Sequence, residues 1–222
     1  MTKQDLQHVL DSLPKVNPWG EPVRLVAATK MQSADTIALA VESGVTAIGE
    51  NKVQEFLDKY ETYPSQAEKH FIGHLQTNKV KYLIGKTALI HSVSSLRLAE
   101  EISARSEKAN VTTNVLLQIN IGEEETKGGF SPQEVDQAVE SVCALPRLNV
   151  QGFMAMLPHA NDEDYLYALA RQMRELYDKH RAAHGFTVLS MGMSADYEIA
   201  VHCGSNMIRL GSTLFGPRPY QI

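Results

Sequence analysis

The sequence predicts an α/β fold, a closed (β/α)₈ TIM barrel with one extra helix in front of it. Two observations carry this. Short apolar runs of strand length alternate strictly with amphipathic helical stretches, and eight such runs fall between Val23 and Ser212. Strict alternation calls for a parallel sheet with helices outside it. Eight units in about 200 residues favour closure over an open doubly wound sheet, which stands as the alternative. No low-complexity stretch, internal repeat or change of composition divides the chain, so 1–222 reads as a single domain, with the leading helix over 1–14 and the barrel over 23–216.

Taken in order, Leu6, Val9, Leu10 and Leu13 lie on one face of a helix over 3–13, which Pro14, Pro18 and Gly20 close. Val23 to Lys30 is the first strand, with a helix start at Ser33. The run from Thr46 to Asn51 and the helix from Val53 to Tyr60 repeat the unit. A third strand over 69–75 leads to a helix over 77–84, and a fourth over 88–93 to a helix over 94–109. The fifth strand, 112–120, is followed by the polar loop 122–130 and a helix starting at Ser131-Pro132, where serine suits the cap and proline the first turn. The sixth, 148–156, precedes the longest helix, 162–184; the seventh, 187–193, a short helix over 197–203; and the eighth, 206–212, has no helix assigned after it.

The formal charge of −5 and pI near 5.9 disfavour a general nucleic-acid or acidic-membrane binder, which would carry a basic excess. Cys143 and Cys203 have neither CxxC spacing nor the number of a disulfide framework, and read as buried free thiols of a reducing compartment. No signal-peptide core and no membrane-length apolar run is present. A cytoplasmic location is expected.

In a TIM barrel the chemistry sits at the C-terminal ends of the strands. That rule gathers Lys30, Asn51, His74, Asn120, Met156, Ser194 and Gly211-Ser212 around one mouth. Lys30 follows Val26 and Ala28 on one strand face. If that face is internal, the amine is desolvated and its pKa falls, which suits Schiff-base formation; a solvated strand-end lysine is the plainer alternative. Arg209 shares a face with Met207 and Gly211, and an inward guanidinium needs a partner such as a ring nitrogen or a carboxylate. The N–H groups of Gly211 and Ser212, the Ser212 hydroxyl and Ser194 could hold a phosphate, although a tight turn beside an ion-paired arginine would explain the same residues. An aldehyde, a ring nitrogen and a phosphate together describe pyridoxal 5′-phosphate, PLP.

The blocks VAATK, TAIGENKVQE, HFIGHLQTNKVK, NVLLQINIGEEETKGGF, QGFMAM and LSMGMSADYEIAVHCGSNMIRLGSTLFGPRPY, in this order over 23–220, resemble the pyridoxal phosphate homeostasis protein family. The resemblance implies a fold-type III PLP barrel, similar to the N-terminal domain of alanine racemase, holding PLP as a Schiff base on Lys30. Asn51 matches the family's GEN block, Ser194 the serine of its GMS phosphate block, and Arg209, Gly211 and Ser212 its closing block, with the arginine near the pyridine nitrogen. Two positions depart from the pattern: Lys52 follows GEN at the rim, and Ser212 stands where threonine is usual, keeping the hydroxyl. Met193 joins the set as a cofactor contact.

The β-rich second domain with which alanine racemase supplies a catalytic tyrosine is expected to be missing, and the arginine that the resemblance implies at the ring nitrogen would weaken the ring as an electron sink. The expectation is therefore a non-catalytic protein that buffers or delivers PLP, with PLP-dependent apo-enzymes as recipients, a monomeric state, and no nucleic acid or membrane partner. A weak monomeric amino-acid racemase is the alternative; an adaptor whose bound PLP regulates a partner protein is a third. No metal site is expected: His70 and His74 lie on a strand and its exit without an HExxH frame. Gly85-Lys86-Thr87 lacks the first glycine of a P-loop, since Val80 stands there. Met154, Met156 and Met191 read as core, Glu123 to Glu125 as a solvated loop with Lys127-Gly128-Gly129 as part of a lid, and Tyr220 as a plug against the leading helix.

Overall fold

Eight short parallel strands close on themselves: β1 (Arg24–Ala28), β2 (Ala47–Glu50), β3 (Glu68–Phe71), β4 (Leu89–Val93), β5 (Thr113–Ile119), β6 (Leu148–Ala155), β7 (Val188–Ser190) and β8 (Met207–Leu210), each paired with the next and β8 with β1, as in the register Val26 to Arg209. The structure is a computed structural model and describes residues 2–216. The helices are α1 (Lys3–Ser12), α2 (Ala34–Glu42), α3 (Val53–Lys59), α4 (Leu96–Lys108), α5 (Val135–Cys143), α6 (Glu163–His184), α7 (Tyr197–His202) and α8 (Ser212–Phe215).

The caps follow from side-chain chemistry. Ser33 accepts from Thr36 N at 3.2 Å, Asp162 from Tyr165 N at 3.1 Å, and Gly185 ends α6 at φ 69°. Ser131 and Glu134 form a capping box around a 3₁₀ turn (Pro132–Glu134) that leads into α5.

Strand alternation divides the apolar residues into two cores. Ala27, Ile48, Phe71, Ile90, Leu117, Phe153, Leu189 and Ile208 face outward and pack under the helices. Val26, Ala28, Ala47, Ile72, Leu89, Leu116, Met154, Val188 and Met207 fill the lumen. The inward placement of Val26 and Ala28 points the chain at Lys30 toward the mouth of the barrel.

Four expectations are corrected or fall outside the described residues. The stretch after β3 winds as a 3₁₀ helix (Thr77–Tyr82), with Val80 its buried residue, instead of an α-helix over 77–84. The eighth strand is followed by a helix after all, the short α8, whose buried Leu214 and contact with α1 hold it. Cys143 is exposed, because it ends α5 past the buried stripe of Val135, Ala138, Val139 and Val142; Cys203 is buried, and both are free thiols. Tyr220 lies outside the described residues. Among the described residues no helix is long and apolar enough to cross a membrane.

Candidate functional site

A cavity of about 240 Å³ opens at the C-terminal ends of the strands, lined by Lys30, Asn51, Met193, Ser194, Arg209, Gly211 and Ser212 together with Gln32, Ile72, Met156 and His159. All the residues singled out from the sequence as cofactor contacts thus meet in one cavity. A cavity of about 310 Å³ near α1 and the opposite end of the barrel, lined by Leu10, Arg24 and Val45 among others, contains none of them.

Lys30 follows β1 by two residues and is half-buried. Its neighbours are tied down from below. Thr29 is fully buried, and its hydroxyl donates to Glu50 Oε1 at 2.8 Å. Lys59, on α3, donates to Thr29 O at 3.0 Å, to Glu50 Oε1 at 3.1 Å and to Glu55 Oε1 at 2.6 Å. Glu55 in turn accepts from Met31 N. That bond holds Met31 at φ 62°, a left-handed conformation that costs a non-glycine residue about 1 kcal/mol. Burial pushes the Glu50 carboxyl above its usual range, against the lowering effect of the Thr29 and Lys59 bonds. Both flanks of Lys30 are therefore anchored through α3.

Arg209 is 5% exposed and is held by neutral acceptors: Nη1 donates to Ser190 O at 2.9 Å and Ser190 Oγ at 2.7 Å, and Nη2 to Ala155 O at 2.9 Å. A guanidinium has more donors than these three bonds use, which leaves N–H groups for an acceptor in the cavity. Burial lowers its pKa to about 10, so it remains a cation at neutral pH. Carbonyls and a hydroxyl of the chain hold one side of the guanidinium, where the sequence suggested a carboxylate or a ring nitrogen as its partner.

Ser194 Oγ accepts from Gly211 N at 3.3 Å and Thr213 N at 3.2 Å. With both bonds accepted, its own O–H is left to donate. Asn51 Oδ1 is buried and has no hydrogen-bond partner among the described residues. An orphaned buried acceptor costs about 1–3 kcal/mol, so it marks a place where a ligand donor belongs. An amine, an inward guanidinium, a hydroxyl over backbone amides and an orphaned amide carbonyl together suit a phosphorylated aromatic aldehyde, and the residues fit PLP on these grounds.

Two residues expected at the mouth are elsewhere. His74 is exposed and Asn120 does not line the cavity. Asn120 instead ties down the 122–128 loop, donating to Glu124 O at 3.0 Å and Lys127 O at 3.1 Å, while Lys127 pairs with Glu124. Sequence reasoning missed His159 and Gln32, which no motif marks, and Thr213, whose amide completes the Ser194 site. It also missed Glu50 and Lys59. Glu50 sits inside the GEN block, and a carboxylate on a strand otherwise buried throughout was a readable sign of a buried partner.

Comparison with known proteins gives the following. The family model for the N-terminal domain of alanine racemase matches residues 4–219. A protein of Aquifex aeolicus named pyridoxal phosphate homeostasis protein is 42% identical over 200 residues, covering 89% of this chain and 88% of its own. Among solved structures, PipY of Synechococcus elongatus with PLP bound superposes with a TM-score of 0.83 at 29% identity, covering 96% of this chain and 99% of its own. Alanine racemase of Clostridium difficile shares the fold, with a TM-score of 0.81 at 17% identity; the match takes in 99% of this chain but 57% of the racemase.

Proposed function

The chain belongs to the family of pyridoxal phosphate homeostasis proteins, built on the alanine racemase N-terminal domain, and on that premise we propose that it binds PLP in the Lys30 cavity and buffers or delivers it. The observation that carries the reading is the convergence of Lys30, Arg209 and Ser194 on one cavity beside the orphaned Asn51 carbonyl. PLP supplies an aldehyde that condenses with an amine. Lys30 provides that amine, and Arg209 donates to the ring nitrogen. The Ser194 and Ser212 hydroxyls receive the phosphate beside the Gly211 turn, whose own N–H already donates to Ser194 Oγ, while Asn51 accepts from a ring substituent and Met193 packs on the ring.

The chain's own groups favour holding over turnover. A one-base racemase needs a second acid on the opposite ring face. Among the described residues that line the cavity, the titratable side chain besides Lys30 and Arg209 is His159, on the loop after β6. We assign it no catalytic role and read the protein as a carrier that passes PLP to apo-enzymes, acting as a monomer in the cytoplasm. Racemisation of any amino acid well above the rate given by free PLP would sink the carrier reading in favour of an enzyme.

The test is an absorbance spectrum from about 300 to 500 nm, before and after borohydride, for the wild type and Lys30→Ala. A band near 420 nm, roughly where lysine-bound PLP absorbs, should be trapped by reduction in the wild type and absent from the variant. No band after added PLP would overturn the reading.

A further inference from the structure

The lumen contains one line of polar side chains that the cavity does not account for. Below Arg209, Ser190 Oγ lies 3.1 Å from His91 Nδ1, His91 Nε2 lies 2.9 Å from His70 Nδ1, and His70 Nε2 lies 3.1 Å from Glu68 Oε2. Glu68 also accepts from Arg24 Nη2 at 2.7 Å. Ser190, His91 and His70 are at most 1% exposed, whereas the Glu68 and Arg24 side chains are 49% and 46% exposed. The line therefore runs the length of the barrel axis, from solvent at the N-terminal ends of the strands to the cavity at their C-terminal ends. Around it the walls are apolar, including Val26, Ala47, Leu89, Leu116, Met154 and Val188.

One arrangement of protons satisfies every bond of the line, built inward from its two ends. Arg209 can only donate. The His70 hydrogen bond, with Arg24 beside it, lowers the Glu68 carboxyl to about 2, so at neutral pH it only accepts. In the one-way arrangement His70 carries its proton on Nε2, facing Glu68, and presents Nδ1 as an acceptor. His91 donates to it from Nε2. Burial, reinforced by His70, Arg209 and Arg24, holds His91 well below its ordinary value, so its ring is neutral and Nδ1 accepts from the Ser190 hydroxyl. Ser190 Oγ is left to accept from Arg209. With one proton on each ring, reversing His70 would set a bare ring nitrogen against the Glu68 carboxylate and an N–H against the His91 N–H, and reversing His91 would leave two bare ring nitrogens facing each other.

We propose that Glu68, His70, His91 and Ser190 form a one-way hydrogen-bonded relay through the barrel that positions Arg209 in the cofactor cavity and couples its donation to the opposite face of the molecule. This rests on the reading that Arg209 meets bound PLP. Ser190, His91 and His70 are positioning residues, because none of them lines the cavity.

The experiment has two parts. Nitrogen-15 NMR of labelled histidines in the full chain should show His70 and His91 as Nε2–H tautomers, with the His91 Nδ1 resonance moved by Ser190→Ala. PLP titration should show His91→Leu weakening binding roughly tenfold, about the worth of one hydrogen bond, and displacing the absorbance band. His91→Gln, which keeps one donor and one acceptor, should restore both. An Nδ1–H tautomer at either ring overturns the relay, as does a His91→Leu protein of lowered melting temperature but unchanged band and affinity. If the wild type itself binds no PLP, the cofactor reading fails and the tautomers alone decide the relay.

Discussion

Gly73→Ala is the sharpest steric probe of how the mouth is built. Gly73 follows β3, and a Cβ there would lie 1.9 Å from Asn51 O and 2.5 Å from Asn51 C and Cα. Such atoms meet at about 3.5 Å, so Asn51 or the β3 exit must move on the order of 1.5 Å. The obstacle is backbone and cannot rotate aside. Overpacking costs about 1–3 kcal/mol, and a backbone clash belongs at the top of that range, about 3 kcal/mol. For a chain of this size that lowers the melting temperature by about 6–12 °C. Because the displaced residue lines the cavity, PLP affinity should fall as well. Gly85→Ala is the control: its φ is +76° with nothing within 4 Å of a Cβ, so it carries backbone strain alone, about 1 kcal/mol, with PLP binding unchanged. Thermal melts and PLP titration of both variants decide the matter. A Gly73→Ala protein that melts with the wild type and binds PLP equally would refute the packing of β2 against β3 on which the site depends.

Lys59→Met should cost about 3 kcal/mol at neutral pH, because it leaves the buried Glu50 carboxylate without its cation and loosens both flanks of Lys30. Burial already raises the Glu50 carboxyl in the folded protein, so its proton is bound more tightly folded than unfolded. The deficit is greatest above the folded pKa and shrinks as the pH falls; urea melts at neutral and acid pH measure this, and a deficit that grows on acidification would contradict it. Glu68 has the opposite sign. Its carboxyl is lowered from 4.5 to about 2, so its contribution is full above 4.5 and lost as the pH falls toward 2. Glu68→Gln should flatten the stability profile across that window, by an amount that solvent screening of this half-exposed group keeps small. Lys30→Ala should abolish the trapped absorbance band while leaving the fold intact by circular dichroism.

The barrel was legible because its signals are local. Strand and helix periods alternate, and caps such as Ser33, Asp162 and the Ser131–Glu134 box are written within four residues of each other. That Lys30, Asn51, Ser194, Arg209, Gly211 and Ser212 line one cavity was legible because one rule, that strand ends converge, turned isolated residues into a set. What stayed hidden depends on lateral register. His70 and His91 are 21 positions apart and touch only because β3 and β4 pair with His70 opposite Leu89. Lys59 reaches Thr29 across 30 positions. Alternation could place His70 on the inner face, but no local pattern says which inner side chain it meets. The helix α8 was invisible for another reason: four residues are too few to form a helix alone, and it exists through packing on α1.

On the proposed carrier reading, Arg209 is the residue that would suit this barrel to holding a cofactor more than driving one. Among the described residues its charge is buried without a carboxylate hydrogen bond, against the Ser190 and Ala155 carbonyls and a hydroxyl, and the buried Asp196 offsets it through charge alone. Such a group is desolvated and still short of acceptors, so a ring nitrogen that accepts from it gains a strong, charge-assisted bond. The same bond would keep that nitrogen unprotonated, since a guanidinium with a pKa of about 10 only donates and does not readily give up its proton. An unprotonated ring draws electrons weakly. On this reading affinity and catalytic power would be set against each other at one residue, and the proposed relay beneath Arg209 would favour the first by fixing the direction in which its donors point.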